Sequence, residues 1–159
     1  MTETKQMVVF TLGEADFGFP IEHVSEIIKY IPVTDIPNSS PYVEGACNLR
    51  GKIHVILNIK SILGLDKKTN GDKSYIIVAD EFDAGVIVDE VKMIITPALD
   101  DIVSVESLPK YINNQNILYI VKNDDKLIYV LNFKDILFRS LTYVTESSQW
   151  RQCIMESFV

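Results

Sequence analysis

Thirteen residues, Gly51-Lys52-Ile53-His54-Val55-Ile56-Leu57-Asn58-Ile59-Lys60-Ser61-Ile62-Leu63, align without a gap on Asp125-Lys126-Leu127-Ile128-Tyr129-Val130-Leu131-Asn132-Phe133-Lys134-Asp135-Ile136-Leu137. An earlier set follows the same order. Gly18, Ile21, Glu22, Val24, Ile27 and Ile28 match Gly85, Val88, Asp89, Val91, Ile94 and Ile95. The offset between copies grows by seven residues from one pair to the other, which the long connector at 97–109 absorbs. A chain that repeats a unit this way folds it twice, here over residues 14–66 and 73–141. Short strands, glycine-bearing turns and little helix make each copy a small β-barrel, and closing five strands removes exposed edges.

The local pattern fills in the units. Strands are expected at 7–12 and 17–21, then a short helical turn leading into a strand over 22–28. Ser40-Pro41 reads as a helix start, with a single turn over 42–45. The hairpin at 47–59 alternates Ile53, Val55 and Leu57 with Lys52, His54 and Asn58, and Gly51 supplies its turn. A short helix at 60–63 ends at Gly64. Further strands are expected at 74–79, 82–89, 91–96, 116–121 and 127–131, and a helix at 132–141. Leu99, Ile102, Val103 and Val105 are scattered anchors in the connector at 97–109. In the tail, 145–159, Trp150, Ile154, Met155 and Phe158 share one helix face, which predicts a terminal helix.

Hydrophobic residues make up 47% of the chain, enough for a core. No apolar run is long enough for a transmembrane helix, and the polar start lacks a signal-peptide layout, so a cytoplasmic location is the default. The net charge of -7 argues against nucleic acid or an anionic membrane as partner and favours other proteins. Cys47 and Cys153 read as free thiols, and no His/Cys/Asp/Glu cluster has metal-ligand spacing, so no cofactor is expected. Cys47 and His54 straddle the first turn, but nothing supplies the oxyanion site or orienting group of a nucleophilic pair. The expectation is a protein that is not an enzyme.

The chain resembles the CheW family of chemotaxis coupling proteins. The resemblance rests on Phe17-Gly18-Phe19-Pro20-Ile21-Glu22-His23-Val24-Ser25-Glu26-Ile27-Ile28, Ile36-Pro37, Pro41-Tyr42-Val43-Glu44-Gly45, Asn48-Leu49-Arg50-Gly51-Lys52-Ile53 and Gly85-Val86-Ile87-Val88-Asp89-Glu90-Val91. It covers residues 5–141, read as one domain. The family usually has a proline near Val55 and an aspartate where Asn58 stands. The resemblance implies an all-β fold of two interlocked five-stranded SH3-like barrels with short helices and a hydrophobic groove between them. It implies a scaffold, without catalysis, that links the cytoplasmic hairpin tip of methyl-accepting chemoreceptors to the regulatory domain of a CheA-type histidine kinase. The competing readings are the same adaptor in another chemosensory-like system, such as surface motility, and a small hydrolase or ligand-binding barrel.

Positions that the two copies share belong to the fold, and positions that differ are free to form a site. Where the first copy has Asn48-Leu49-Arg50 the second has Lys122-Asn123-Asp124, so the barrel does not require the arginine. Arg50 is the leading partner-binding candidate, as a bidentate ligand for a carboxylate or a helix end. The alternative is a structural salt bridge to Glu22 or Glu44. Leu49, Val24, Ile27, Val86 and Val88 are candidates for the walls of the receptor groove, with ordinary core as the alternative. Glu26 is a candidate rim charge.

Overall fold

The computed structural model describes residues 6–65, 73–108 and 115–147. The strands are β1 (Met7–Leu12), β2 (Ala15–Pro20), β3 (Glu26–Lys29), β4 (Val43–Leu49), β5 (Lys52–Asn58), β6 (Tyr75–Ala79), β7 (Ala84–Val88), β8 (Glu90–Ile95), β9 (Ile102–Ser104), β10 (Ile117–Asn123) and β11 (Lys126–Leu131). Helices α1 (Ile59–Ile62) and α2 (Phe133–Ser147) follow β5 and β11. The strands form a six-stranded sheet, β8-β1-β2-β11-β10-β9, and a five-stranded sheet, β3-β6-β7-β5-β4. Each sheet takes strands from both halves of the chain, so the fold is all-β and interlocked.

The repeat explains the exchange. Two strand pairs are parallel, β2 with β11 and β5 with β7. Gly18 lies opposite Val130 in one, and Gly85 opposite Ile56 in the other. Gly18 aligns with Gly85, and Val130 with Ile56, so the two crossings are equivalent. A Cβ at Gly85 would come within 3.0 Å of the Ile77 carbonyl oxygen, and one at Gly18 within 3.3 Å of that of Val8. The shared glycines therefore serve the close strand approach. Asn58 and Asn132 are shared too, and both cap helices. The Asn58 side chain accepts from the Ser61 N–H at 3.2 Å, and that of Asn132 from the Asp135 N–H at 3.0 Å.

Both sheets curl on themselves. Ile28 on β3 and Cys47 on β4, at opposite edges of the five-stranded sheet, share one cluster with Ile56, Ile76, Val78 and Ile87. Ile95 on β8 and Ile102 on β9 likewise meet around Met7, Val9, Ile128 and Val130. A larger cluster joins the two units and includes Phe10, Phe19, Leu57, Val86, Val88, Phe133 and Ile136. Phe19 stacks on Phe133 with ring centroids 4.1 Å apart, which fixes α2 on this core.

Two local expectations differ from the structure, and a third lies outside the described residues. The connector at 97–109 contains β9, which pairs with β10 through Ile102, Val103 and Ser104. Three residues are too short a run to show alternation. In the other sheet its counterpart is one bridge, Thr34 with Ala46. The next outward pair would set Pro32 against Asn48, and proline has no N–H to give. Residues 42–45 are not helical. Ser40 Oγ does accept from the Tyr42 N–H at 3.1 Å, but buried Val43 then pairs with Leu57 and begins β4. Tertiary burial of a β-branched residue overrides the cap signal. The helix expected at 145–159 lies outside the described residues apart from the end of α2.

One buried ion pair ties the units together. Lys60 Nζ on α1 is 2.7 Å from Asp89 Oδ2, with side chains 11% and 8% exposed. The same oxygen accepts the Gly13 N–H of the β1–β2 turn at 2.6 Å. Removing one partner leaves a buried charge without this counter-charge. Lys60→Met is therefore expected to cost about 3–5 kcal/mol in urea unfolding. Arg139→Ala, which breaks an exposed helical pair with Asp135 at 3.1 Å, is expected to cost about 0.5 kcal/mol.

Candidate functional site

The β4–β5 hairpin closes in two residues, both left-handed: Arg50 at φ 53° and Gly51 at φ 83°. The twist of such a turn matches the flanking strands. Asn48 Oδ1 accepts the Gly51 N–H at 2.8 Å and holds it. Asp124, aligned with Arg50, has φ 55°, so the conformation belongs to the turn and the arginine does not. Asparagine, aspartate or glycine takes this conformation at less cost than arginine does.

The Arg50 guanidinium meets Glu26 with both terminal nitrogens, Nη1 donating to Oε2 at 2.9 Å and Nη2 lying 2.7 Å from Oε1. Glu26 sits on β3, so the pair spans the place where the curled sheet brings its edges together. The hydrogen bond and charge of Glu26 hold the guanidinium above its ordinary pKa. The Arg50 side chain is still 66% exposed. The partners anticipated from the sequence are engaged elsewhere. Glu44 accepts from Asn58 Nδ2 at 2.8 Å, and Glu22 lies 3.8 Å from His23.

Five residues outside the candidate set complete the cluster. Asp80 Oδ2 is 3.9 Å from Arg50 Nη2. Its other oxygen is 3.1 Å from His54 Nε2, and its N–H donates to Ser25 Oγ at 2.8 Å. Lys52 pairs with Asp83 at 2.9 Å, and that bond and charge push the ammonium up. Asp80 reaches Arg50 because the β6–β7 link is longer than its counterpart. Gly13 and Glu14 join β1 to β2, whereas Asp80 to Asp83 join β6 to β7 in a 3-10 turn. The signal was available in the difference between copies: where the first has His54, the second has Ile128.

The candidate wall residues separate. Val24 and Ile27 are half-buried against the central core, whereas Leu49 packs on the other side, against the cluster inside its own barrel. Val86 and Val88 are 0% and 1% exposed. They are core on β7 and present no surface to a partner, which corrects their assignment to the groove. Cys47 does face His54 across the β4–β5 pair. Burial pushes its thiol up, away from a nucleophilic thiolate, and His54 is engaged with Asp80. Among the described residues no three His, Cys, Asp or Glu side chains could hold a metal ion, and no helix is long and apolar enough to cross a membrane.

The left-handed turn gives opposite expectations for neighbouring substitutions. Arg50→Gly relieves a strained φ and gives up an exposed ion pair, so its stability stays level or rises by up to about 1 kcal/mol. Gly51→Ala introduces a Cβ at positive φ and costs about 1 kcal/mol. Urea unfolding of the two variants beside the parent chain checks both.

Residues 6–140 match the family model described as CheW-like domain. The chain is 31% identical over 139 residues to the chemotaxis protein CheW of Helicobacter pylori, covering 85% of this chain and 82% of that protein. It is 31% identical over 136 residues to the chemotaxis protein CheW of Treponema pallidum, covering 82% of this chain and 80% of that one. The crystal structure of the scaffolding protein TtCheW from Thermoanaerobacter tengcongensis superposes with a TM-score of 0.72 at 32% identity, over 82% of this chain and 90% of that one. The chain belongs to the family of CheW-like domains.

Proposed function

We propose that this chain is a chemotaxis scaffold that works in the cytoplasm by binding, not catalysis. It holds the hairpin tip of a chemoreceptor and the regulatory domain of a CheA-type histidine kinase together, so that receptor conformation biases kinase activity. Such coupling is worth about 1–3 kcal/mol. Family membership supports the scaffold role, since its matched relatives include chemotaxis and scaffolding proteins. The observation that carries the receptor contact is Arg50. It occupies a left-handed turn position that the sibling unit fills with aspartate, yet its side chain is 66% exposed. Glu26 Oε2 accepts one of its five N–H donors and Oε1 lies 2.7 Å from Nη2, which fixes the direction of the fork. The remaining donors suit a carboxylate or the carbonyl end of a helix. Half-buried Val24 and Ile27, with Leu49 beside the arginine, supply apolar contact around it.

Arg50→Glu sets a carboxylate against Glu26 and Asp80. Receptor-hairpin affinity is expected to fall about tenfold or more, a loss of at least about 1.4 kcal/mol. Affinity for the kinase regulatory domain is expected to stay within about twofold. Titration calorimetry with each partner measures both. Equal losses from a folded variant would contradict the assignment of Arg50 to the receptor.

A further inference from the structure

His54 lies beneath the Arg50 turn and is 2% exposed. Its Nδ1 is 3.1 Å from the Lys52 carbonyl oxygen, and its Nε2 is 3.1 Å from Asp80 Oδ1. A backbone carbonyl and a carboxylate can only accept. A neutral imidazole has one N–H, so one nitrogen would turn a lone pair toward an oxygen. Both contacts are made only by the ring that carries both protons. Asp80 is in turn held by the hydrogen bond from its N–H to Ser25 Oγ at 2.8 Å, and its second oxygen faces Arg50 at 3.9 Å.

We propose that His54 is a positioning residue for Arg50, acting through Asp80, and that its protonation sets how firmly the arginine is held. With both protons present, the ring neutralises Asp80 and the Arg50 fork rests on Glu26. When the ring gives up a proton to water, it is the one on Nδ1, because the carboxylate holds the Nε2–H, and Asp80 then faces a neutral donor instead of an imidazolium. Arg50, at 3.9 Å, is the other cation in ion-pair reach of it among the described residues, and Lys52 acts on it by charge from farther off. The carboxylate then turns to the guanidinium and draws it into a second ion pair, which withdraws it from a partner.

The charged groups around the ring are accounted for element by element. From β4, Cys47 faces His54, and its buried thiol stays protonated. On β5, the Lys52 ammonium is paired with Asp83 at 2.9 Å and adds a weaker, constant attraction for Asp80. In the β6–β7 link, Glu81 lies 4.0 Å from His23 and 3.8 Å from Lys134. From β3, Glu26 is held by Arg50 at 2.7 Å. That leaves Asp80 as the carboxylate whose balance the imidazole proton controls.

The test uses the free chain, labelled with nitrogen-15 at histidine and arginine and titrated by NMR from about pH 5.5 to pH 8.5, the range in which histidine changes charge. The chain has 2 histidines, so a His23 variant assigns them. The Arg50 Nε–H signal is expected to move with the same midpoint as the His54 ring nitrogens. It is expected to stay still in His54→Gln and in Asp80→Asn; the Asp80 side chain is 52% exposed, so the second variant keeps the fold. An Arg50 signal that is flat across the range in the parent chain, or that moves unchanged in Asp80→Asn, overturns the proposal. Where Arg50 also contacts the receptor, which rests on the function proposed above, hairpin affinity falls about two- to fivefold toward the alkaline end, the size of an exposed ion pair. A hairpin that fails to bind at every pH would contradict that function, while the free-chain titration still decides the His54 coupling.

Discussion

A parallel strand pair cannot be closed by a tight turn, so each needs a connection that leaves the sheet and returns. Here both parallel pairs join one half of the chain to the other: β2 to β11 and β5 to β7. Neither half holds a complete sheet. The central cluster draws Phe10 and Phe19 from one half and Val86, Phe133 and Ile136 from the other, so the apolar surface of each is covered by its sibling. The Lys60–Asp89 pair crosses the same junction. Contacts so distant in sequence make folding slow but the product cooperative. A rigid body of this kind suits the scaffold role proposed above.

The site sits where this symmetry is broken. The fold asks for a left-handed residue at the tip of each hairpin, and one copy answers with Asp124 and the other with Arg50. Asp80 comes from the longer of two equivalent links, and His54 replaces Ile128. None of the three is needed to build a barrel. All three converge on the edge where β3 meets the β4–β5 hairpin, around the ion pair with Glu26. Local strain and an exposed charge network are tolerated there because the buried clusters on both faces of the sheet hold the backbone.

Much of this was legible because the repeat converts one pattern into two observations. Gly18 and Gly85, or Asn58 and Asn132, mark fold by recurring, and Arg50 stands out as a candidate by failing to recur. The partner of Arg50 was not legible, since Glu22, Glu26 and Glu44 are equivalent as sequence and only the curling of the sheet selects Glu26. The same curling decides that Val86 and Val88 are core while Ile27 is half-buried, although all three are apolar and in strands. β9 escaped because three residues carry no period, and the helical turn at 42–45 was overruled by the burial of Val43. Composition excluded what it could: a net charge of -7 leaves little room for a nucleic-acid surface.

On the proposed function, one rigid body engages receptor and kinase at once. Sedimentation of this chain with a receptor cytoplasmic fragment and a CheA-type regulatory domain tests it most directly. The expected result is a ternary complex in which saturating one partner leaves the other bound. Displacement of the receptor fragment by the kinase domain, with each binding well alone, would show one shared surface and contradict the account.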